Sequence, residues 1–223
     1  MKGVFHLHTH HSFDCLTSPK KIVLNAVKNG LDLVVITDHD TLQGSIEARK
    51  MVQKLKLAIE IPIGGEFTTD IGDVIVINVA DTFTPHFSHV KLCTQAKEQG
   101  GITILPHPYD GHTLENIHFD LIDGIEVYNS RSSETHNAKA EALALKLGKP
   151  YLYGADAHFL QDMMNCCFEG SLMHSAKPLM KKTTPPYRLA LSQMIKGIKQ
   201  RDGMLFLRSA KKIFKGIFSC EWY

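Results

Sequence analysis

The sequence predicts one α/β domain whose strands close into a barrel, and three observations predict it. Apolar segments of strand length alternate with segments of helical period through most of the chain. Several of the strand-like segments are β-branched and apolar on both faces, as strands of a buried parallel sheet are. The strands also end, one after another, in residues that carry chemistry: His6 and His8, His39, Glu66, His107, Asp156 and His158. In an open sheet such ends form a line and distant ones never meet, whereas a closed barrel converges them on one mouth at the carboxyl ends of its strands. At 223 residues the chain holds one such domain with a substantial core and is too short for two enzymatic ones, so residues 1–223 are expected to form a single unit.

Taken in order, Val4-Phe5-His6-Leu7-His8 opens as a strand whose alternation puts both imidazoles on one face, with Asp14 in the loop that follows. Ser18-Pro19 reads as N-cap and first residue of a helix with Ile22, Val23, Ala26 and Val27 at its apolar positions, ended by Gly30. Residues 31–37 form a buried strand closed by Asp38-His39-Asp40. After a helix over residues 41–56, the segment 59–66 delivers Glu66 behind Gly64-Gly65, a pair that permits close backbone approach. Residues 73–80 make the next strand, and residues 74–77 need burial on both faces. His86 and His89 open a helix running to Gly100 and read as surface residues.

Residues 102–105 then end in Pro106-His107-Pro108, where the prolines fix the turn. Residues 123–129 end in Asn129, shortly before Arg131. A helix over residues 133–147 with Ala140, Leu143, Ala144 and Leu147 on one face stops at Gly148. Residues 151–158 carry Asp156 and His158 at the spacing of His6 and His8. The last third changes character: a strand over residues 168–173, a helix from Thr184-Pro185-Pro186 to Arg201, and a basic amphipathic tail. In that tail Phe206, Ile213, Phe214, Ile217 and Phe218 oppose Arg208, Lys211, Lys212 and Lys215. It reads as a helix docked on the barrel with its cations in water, in preference to a membrane-surface element. The C-terminal helices, residues 184–223, complete or flank the barrel.

Composition narrows the function. With 25 Lys and Arg against 23 Asp and Glu, bulk charge demands neither a nucleic acid nor a membrane as partner. No apolar run is long enough to span a bilayer and no leader is apparent, so a cytoplasmic location is expected. Five cysteines without a framework spacing read as reduced thiols. Histidine is the outlier, at 13 residues, many of them beside Asp, Thr or Pro at strand ends. Imidazole mixed with carboxylate suits zinc, manganese or iron, and disfavours an all-oxygen magnesium site.

The ordered set His6-Leu7-His8 with Asp14, Thr37-Asp38-His39-Asp40, Gly65-Glu66, His107-Pro108 and Gly154-Ala155-Asp156-Ala157-His158 resembles the PHP (polymerase and histidinol phosphatase) superfamily over residues 4–158. The resemblance implies a distorted (β/α)7 barrel, two or three divalent metal ions at its mouth and phosphoesterase chemistry. It implies ligand roles for His6, His8, Asp14, His39, Glu66, His107, Asp156 and His158. One ion would take His6, His8, Glu66 and Asp156, and another Asp14, His39 and His158; Glu66 would reach toward a third with His107. Where many relatives carry a further histidine this chain has Glu126-Val127-Tyr128-Asn129, so Asn129 substitutes or the third ion is weakened.

Clustered ions with only three carboxylates leave a positive pocket for an anionic substrate, and a water activated between them needs no protein nucleophile. The expectation is hydrolysis of a small phosphomonoester, a nucleotide or related metabolite, with Arg131 as phosphate clamp and His10 or His11 as proton donor to the leaving group. Asp38 and Asp40 would orient neighbouring ligands. An exonuclease-type phosphodiesterase, a histidinol-phosphatase-like activity and a non-catalytic metal-binding module are the alternatives. An amidohydrolase barrel fits less well, since no strand-end lysine offers a bridging carbamate.

Overall fold

The structure, a computed structural model, describes residues 1–174 and 176–219, without the side chains of residues 215 and 217–219. In chain order its elements are β1 (Lys2–Leu7), α1 (Pro19–Lys28), β2 (Leu33–Ile36), α2 (Gln43–Leu55), β3 (Gly64–Thr69) and β4 (Gly72–Ile77). There follow α3 (His89–Glu98), β5 (Ile102–Leu105), β6 (Gly124–Asn129), α4 (Glu134–Leu147) and β7 (Tyr151–Gly154). Last come β8 (Cys166–Glu169), β9 (Lys177–Lys181), α5 (Pro186–Lys199) and α6 (Gly203–Ser219).

These strands make two mixed sheets, ordered β2-β1-β8-β9 and β3-β4-β5-β6-β7, and neither closes on itself. The expected closed (β/α)7 barrel is therefore overturned. The reason is strand direction. β3 and β4 form an antiparallel hairpin, β4 runs antiparallel to β5, and β8 runs antiparallel to both β1 and β9. Among the described strands, only β1–β2, β5–β6 and β6–β7 form parallel ladders. An apolar β-branched run reports burial on both faces and is blind to the direction of its neighbours.

The strand ends converge nonetheless, because the two sheets share an apolar centre. Phe5 of β1, Val35 of β2, Ile75 and Ile77 of β4, Ile104 of β5, Leu152 of β7 and Phe168 of β8 pack together in it. Isolated parallel bridges, Leu7 with Ala157 and His39 with Glu66, stitch the edges of the sheets where the candidate ligands lie. The helices cover the outside, with α1 and α2 over β1 and β2 and α3 over the second sheet.

Local signals behave as their chemistry requires. Ser18 Oγ accepts from the backbone N–H of Lys21 and Ser133 Oγ from that of His136, at 3.4 and 3.1 Å, while Gly148 ends α4 at φ +62°. Residues 74–77 are fully buried. His86 is exposed as expected, but His89 is not: it is buried, with Nδ1 2.7 Å from Asp70 Oδ1. Glu66 sits inside β3, not at the end of a strand over residues 59–66. The strand expected over residues 168–173 is β8, which starts two residues earlier and ends at Glu169.

The tail helix α6 packs against α5, at a crossing where a Cβ on Gly197 would meet the backbone nitrogen of Phe206 at 2.7 Å. Phe206 and Ile213 are partly covered, whereas Phe214 is 62% exposed and leaves the expected apolar face. The side chains of Lys215, Ile217 and Phe218 fall outside the described ones. The four described cysteines are free and buried, and among the described residues no helix is long and apolar enough to cross a membrane.

Candidate metal centre

His6 reaches the centre by a distortion, not by plain alternation. The register of β1 against β2 shifts between Val4 and Leu7, and His6 takes φ +67°, so the strand bulges and re-aims the imidazole inward. β1 ends at Leu7, and His8 stands just beyond it, its backbone N–H donating to Ala157 O at 3.0 Å. The two rings are 5.2 Å apart. His107 and Asp156 also carry positive φ, +26° and +44°. Three of the eight candidates thus sit in a backbone region that costs a non-glycine residue on the order of 1–3 kcal/mol and concentrates at functional sites.

The eight residues come together. His6 Nε2 lies 3.3 Å from Glu66 Oε2, His8 Nε2 3.3 Å from Asp156 Oδ1, and His39 Nδ1 3.2 Å from Glu66 Oε2. His107 Nε2 is 3.0 Å from Glu66 Oε1, and His158 Nε2 is 2.8 Å from Asp14 Oδ2. Donor atoms lying within 4.8 Å of one another form three overlapping groups: His8, Asp14, His39 and His158; His6, Glu66 and His107; and His6, His8 and Asp156. His10 stays outside. It is exposed, its ring tilted 4.3 Å from that of His11, and with His11 and Glu47 it makes a separate surface group.

Rings are aimed by partners on their far side. His6 Nδ1 donates to Glu126 Oε1 at 2.9 Å, which in a neutral ring leaves Nε2 a lone pair. His8 Nδ1 donates to Ser12 Oγ at 3.1 Å, and Ser12 Oγ donates to Asp38 Oδ1 at 2.7 Å. His158 Nδ1 donates to the Asp156 carbonyl at 3.1 Å. Asp38 thus orients a ring as expected. Asp40 does not: it accepts from Thr68 N at 2.9 Å and ties β3. Asn129 gives its Nδ2 to Glu126 and Asp156, at 2.9 and 3.2 Å, and its Oδ1 accepts from Arg131 N at 2.8 Å, so its oxygen is already engaged. Glu126 and Ser12 carry no strand-end signature, since Glu126 lies mid-strand and Ser12 in a loop.

Electrostatics follow from this crowding. Burial alone would depress His39 and His107, yet Glu66 beside both holds each up at about 9. Burial, with His158 and His39 close by, pushes His8 down to about 3. Burial would raise Glu66, Asp14 and Asp156, but the facing histidines hold all three carboxyls below their usual range. His8 Nε2, Asp14 Oδ1 and His107 Nδ1 are buried without a hydrogen-bond partner. Buried nitrogen and oxygen atoms left without partners in such a set are compatible with divalent metal ions.

The centre opens on a pocket of about 550 Å³, walled by β-strand ends on one side and by Leu189, Gln193 and Lys196 of α5 on the other. Arg131 lines it, its Nε 3.6 Å from Asp156 Oδ2 and its guanidinium donating to Ser192 Oγ of α5 at 3.1 Å.

A family model described as PHP domain matches residues 5–184. An uncharacterized protein of Methanocaldococcus jannaschii is 34% identical over 143 residues, 58% of this chain and 82% of its own. A two-domain protein of Bacteroides vulgatus containing a predicted PHP-like metal-dependent phosphoesterase superposes with a TM-score of 0.58 at 22% identity, over 71% of this chain and 52% of that one. The chain spans about half the length of that protein. An amidohydrolase of Chromobacterium violaceum, solved with bound sulfate, superposes with a TM-score of 0.56 at 15% identity, over 81% of this chain and 93% of that one. At such identities the two superpositions speak for the fold alone. The family match does more, because it runs from the bulged strand of His6 past the segment of His158, and so takes in every residue of the donor clusters: the chain belongs to the PHP domain family.

Proposed function

We propose that this protein is a metal-dependent phosphoesterase that hydrolyses a small phosphomonoester. The observation that carries the reading is the convergence of five imidazoles and three carboxylates, with orphaned buried donors among them, at the floor of a pocket lined by Arg131 and Lys196. His6, His8, Glu66 and Asp156 would hold one cation, Asp14, His39 and His158 a second, and Glu66 with His107 a third. Zinc, manganese or iron bound there would polarise the phosphoryl oxygens and lower the pKa of a nearby water.

The chain's own residues supply the rest. Arg131, held between Asp156 and Ser192, presents a planar guanidinium suited to bidentate contact with phosphate. Lys196 adds a second cation on the opposite wall. Cys15 is no rival nucleophile: burial pushes its thiol up to about 11, and its Sγ donates to the carbonyls of His8 and His158 at 3.2 and 3.0 Å. Its work is to tie together the two segments that carry those histidines.

The test is phosphate release by protein reconstituted with manganese or zinc, against nucleoside monophosphates, nucleoside bisphosphates, histidinol phosphate and short oligonucleotides, beside a His39→Ala control. Release from a monoester, lost in the control, supports the reading. Release from oligonucleotides alone turns it to a phosphodiesterase. No release, from protein carrying at least two metal ions, sinks it.

A further inference from the structure

The family match stops at residue 184, before α5 begins, yet α5 reaches back into the metal centre. Lys199, its last residue, sends Nζ to three backbone carbonyls of a single loop: His10 at 2.7 Å, Ser12 at 2.7 Å and Cys15 at 2.8 Å. That loop, residues 9–17, belongs to neither helix nor strand, so its carbonyls lack ladder partners. Its own backbone bonds include only His10 N to Thr17 O and Ser12 N to Thr9 O. An ammonium has three donors, and here each finds a carbonyl. One turn earlier, Lys196 Nζ stands 4.5 Å above the ring of Phe13 in the same loop, and Phe13 lies flat on His39, with ring centres 4.5 Å apart and planes within 6°.

Between those grips lies Asp14, whose Oδ2 faces His158 at 2.8 Å and His39 at 3.7 Å. We propose that α5 is a clamp on this loop, and that Lys199 is a positioning residue that sets how tightly Asp14, His39 and His158 hold their cation. The inference rests on the metal-centre reading above and goes beyond it, placing the control of one cation on a helix outside the family-matching segment. Among the described residues no such grip falls on His6 in β1, Glu66 in β3 or His107 just after β5, and Glu126 of β6 holds both histidines. A loosened clamp therefore weakens one cation and leaves that group alone.

The experiment is a titration of the metal-free full chain with cobalt(II), followed by its visible absorption, for the wild type, Lys199→Met and Lys199→Arg. Lys199→Met is expected to lose about 10-fold or more in affinity at one class of site, the scale on which partners that orient ligands act, while the remaining class is unchanged. Lys199→Arg keeps the charge but spreads its donors over a plane, so it is expected to show a smaller loss at the same class. Equal affinities in wild type and both variants, or a uniform loss at every site, overturn the clamp while leaving the metal centre standing. A wild type that binds no cobalt overturns the metal centre and the clamp with it. Should Lys199→Met fail to fold, Lys199→Arg carries the test alone: a selective loss supports the clamp and an unchanged profile overturns it.

Discussion

Glu126 accepts a hydrogen bond from His6 Nδ1 at 2.9 Å with both side chains shut from solvent, and its other oxygen accepts from the backbone of His107 at 2.8 Å. One carboxylate thus fixes two of the histidines at the centre without offering itself to the pocket. Glu126→Gln preserves the shape and removes the acceptor charge that makes the ring a better donor. It is expected to weaken metal binding about 10- to 100-fold with little loss of fold. A chelator-competition titration beside a circular-dichroism melt separates the two effects.

Gly154 is the floor on which Glu126 rests. A Cβ there would overlap Glu126 Oε1 and come within 3.2 Å of His6 Cβ, and neither neighbour has room to retreat inside the sheet. Gly154→Ala is expected to cost about 1–3 kcal/mol by overpacking and to reduce metal binding in step, because the displaced carboxylate no longer aims His6. Urea unfolding of the metal-free protein reads the first effect and metal content after dialysis the second. A variant as stable as wild type that keeps its metal would show that Glu126 has slack the packing does not suggest.

These two residues also mark how far the sequence could be read. Strand ends were legible because a polar residue after a buried apolar run is conspicuous, and all eight strand-end and loop candidates do gather. Helix ends were legible at Ser18-Pro19, Ser133 and Gly148, where caps have fixed chemistry. Glu126 was not, since a carboxylate inside a strand looks like an ordinary outward residue until the sheet is known to curve over it. Strand direction was lost as well, although Thr69-Asp70-Ile71-Gly72, with Gly72 at φ +112°, is the tight turn that reverses β3 into β4. β9 escaped because its five residues are all exposed, and an edge strand rich in lysine has no apolar face to announce it. Lys199 lies 184 residues or more from the carbonyls it grips, a separation over which no local pattern carries information.

The seating of α5 rests on a second contact with a measurable cost. Asp162 is buried at 1% exposure, and its Oδ1 accepts from Arg188 near the start of the helix and from Asn165 Nδ2 at 3.2 Å, while Oδ2 has no partner. Arg188 is largely covered too, so the pair is neither a surface bridge nor fully desolvated. Removing the cation strands a buried carboxylate, and stranding costs more than the pair itself contributes. Arg188→Ala is expected to destabilise the protein by about 2 kcal/mol, the usual cost of an unsatisfied buried charge that retains one hydrogen bond. Asp162→Asn with Arg188→Ala removes both charges and is expected to recover part of that loss. Urea midpoints of the single and double variants decide it: a double variant no more stable than Arg188→Ala would mean that the helix contact itself, and not the stranded charge, sets the cost.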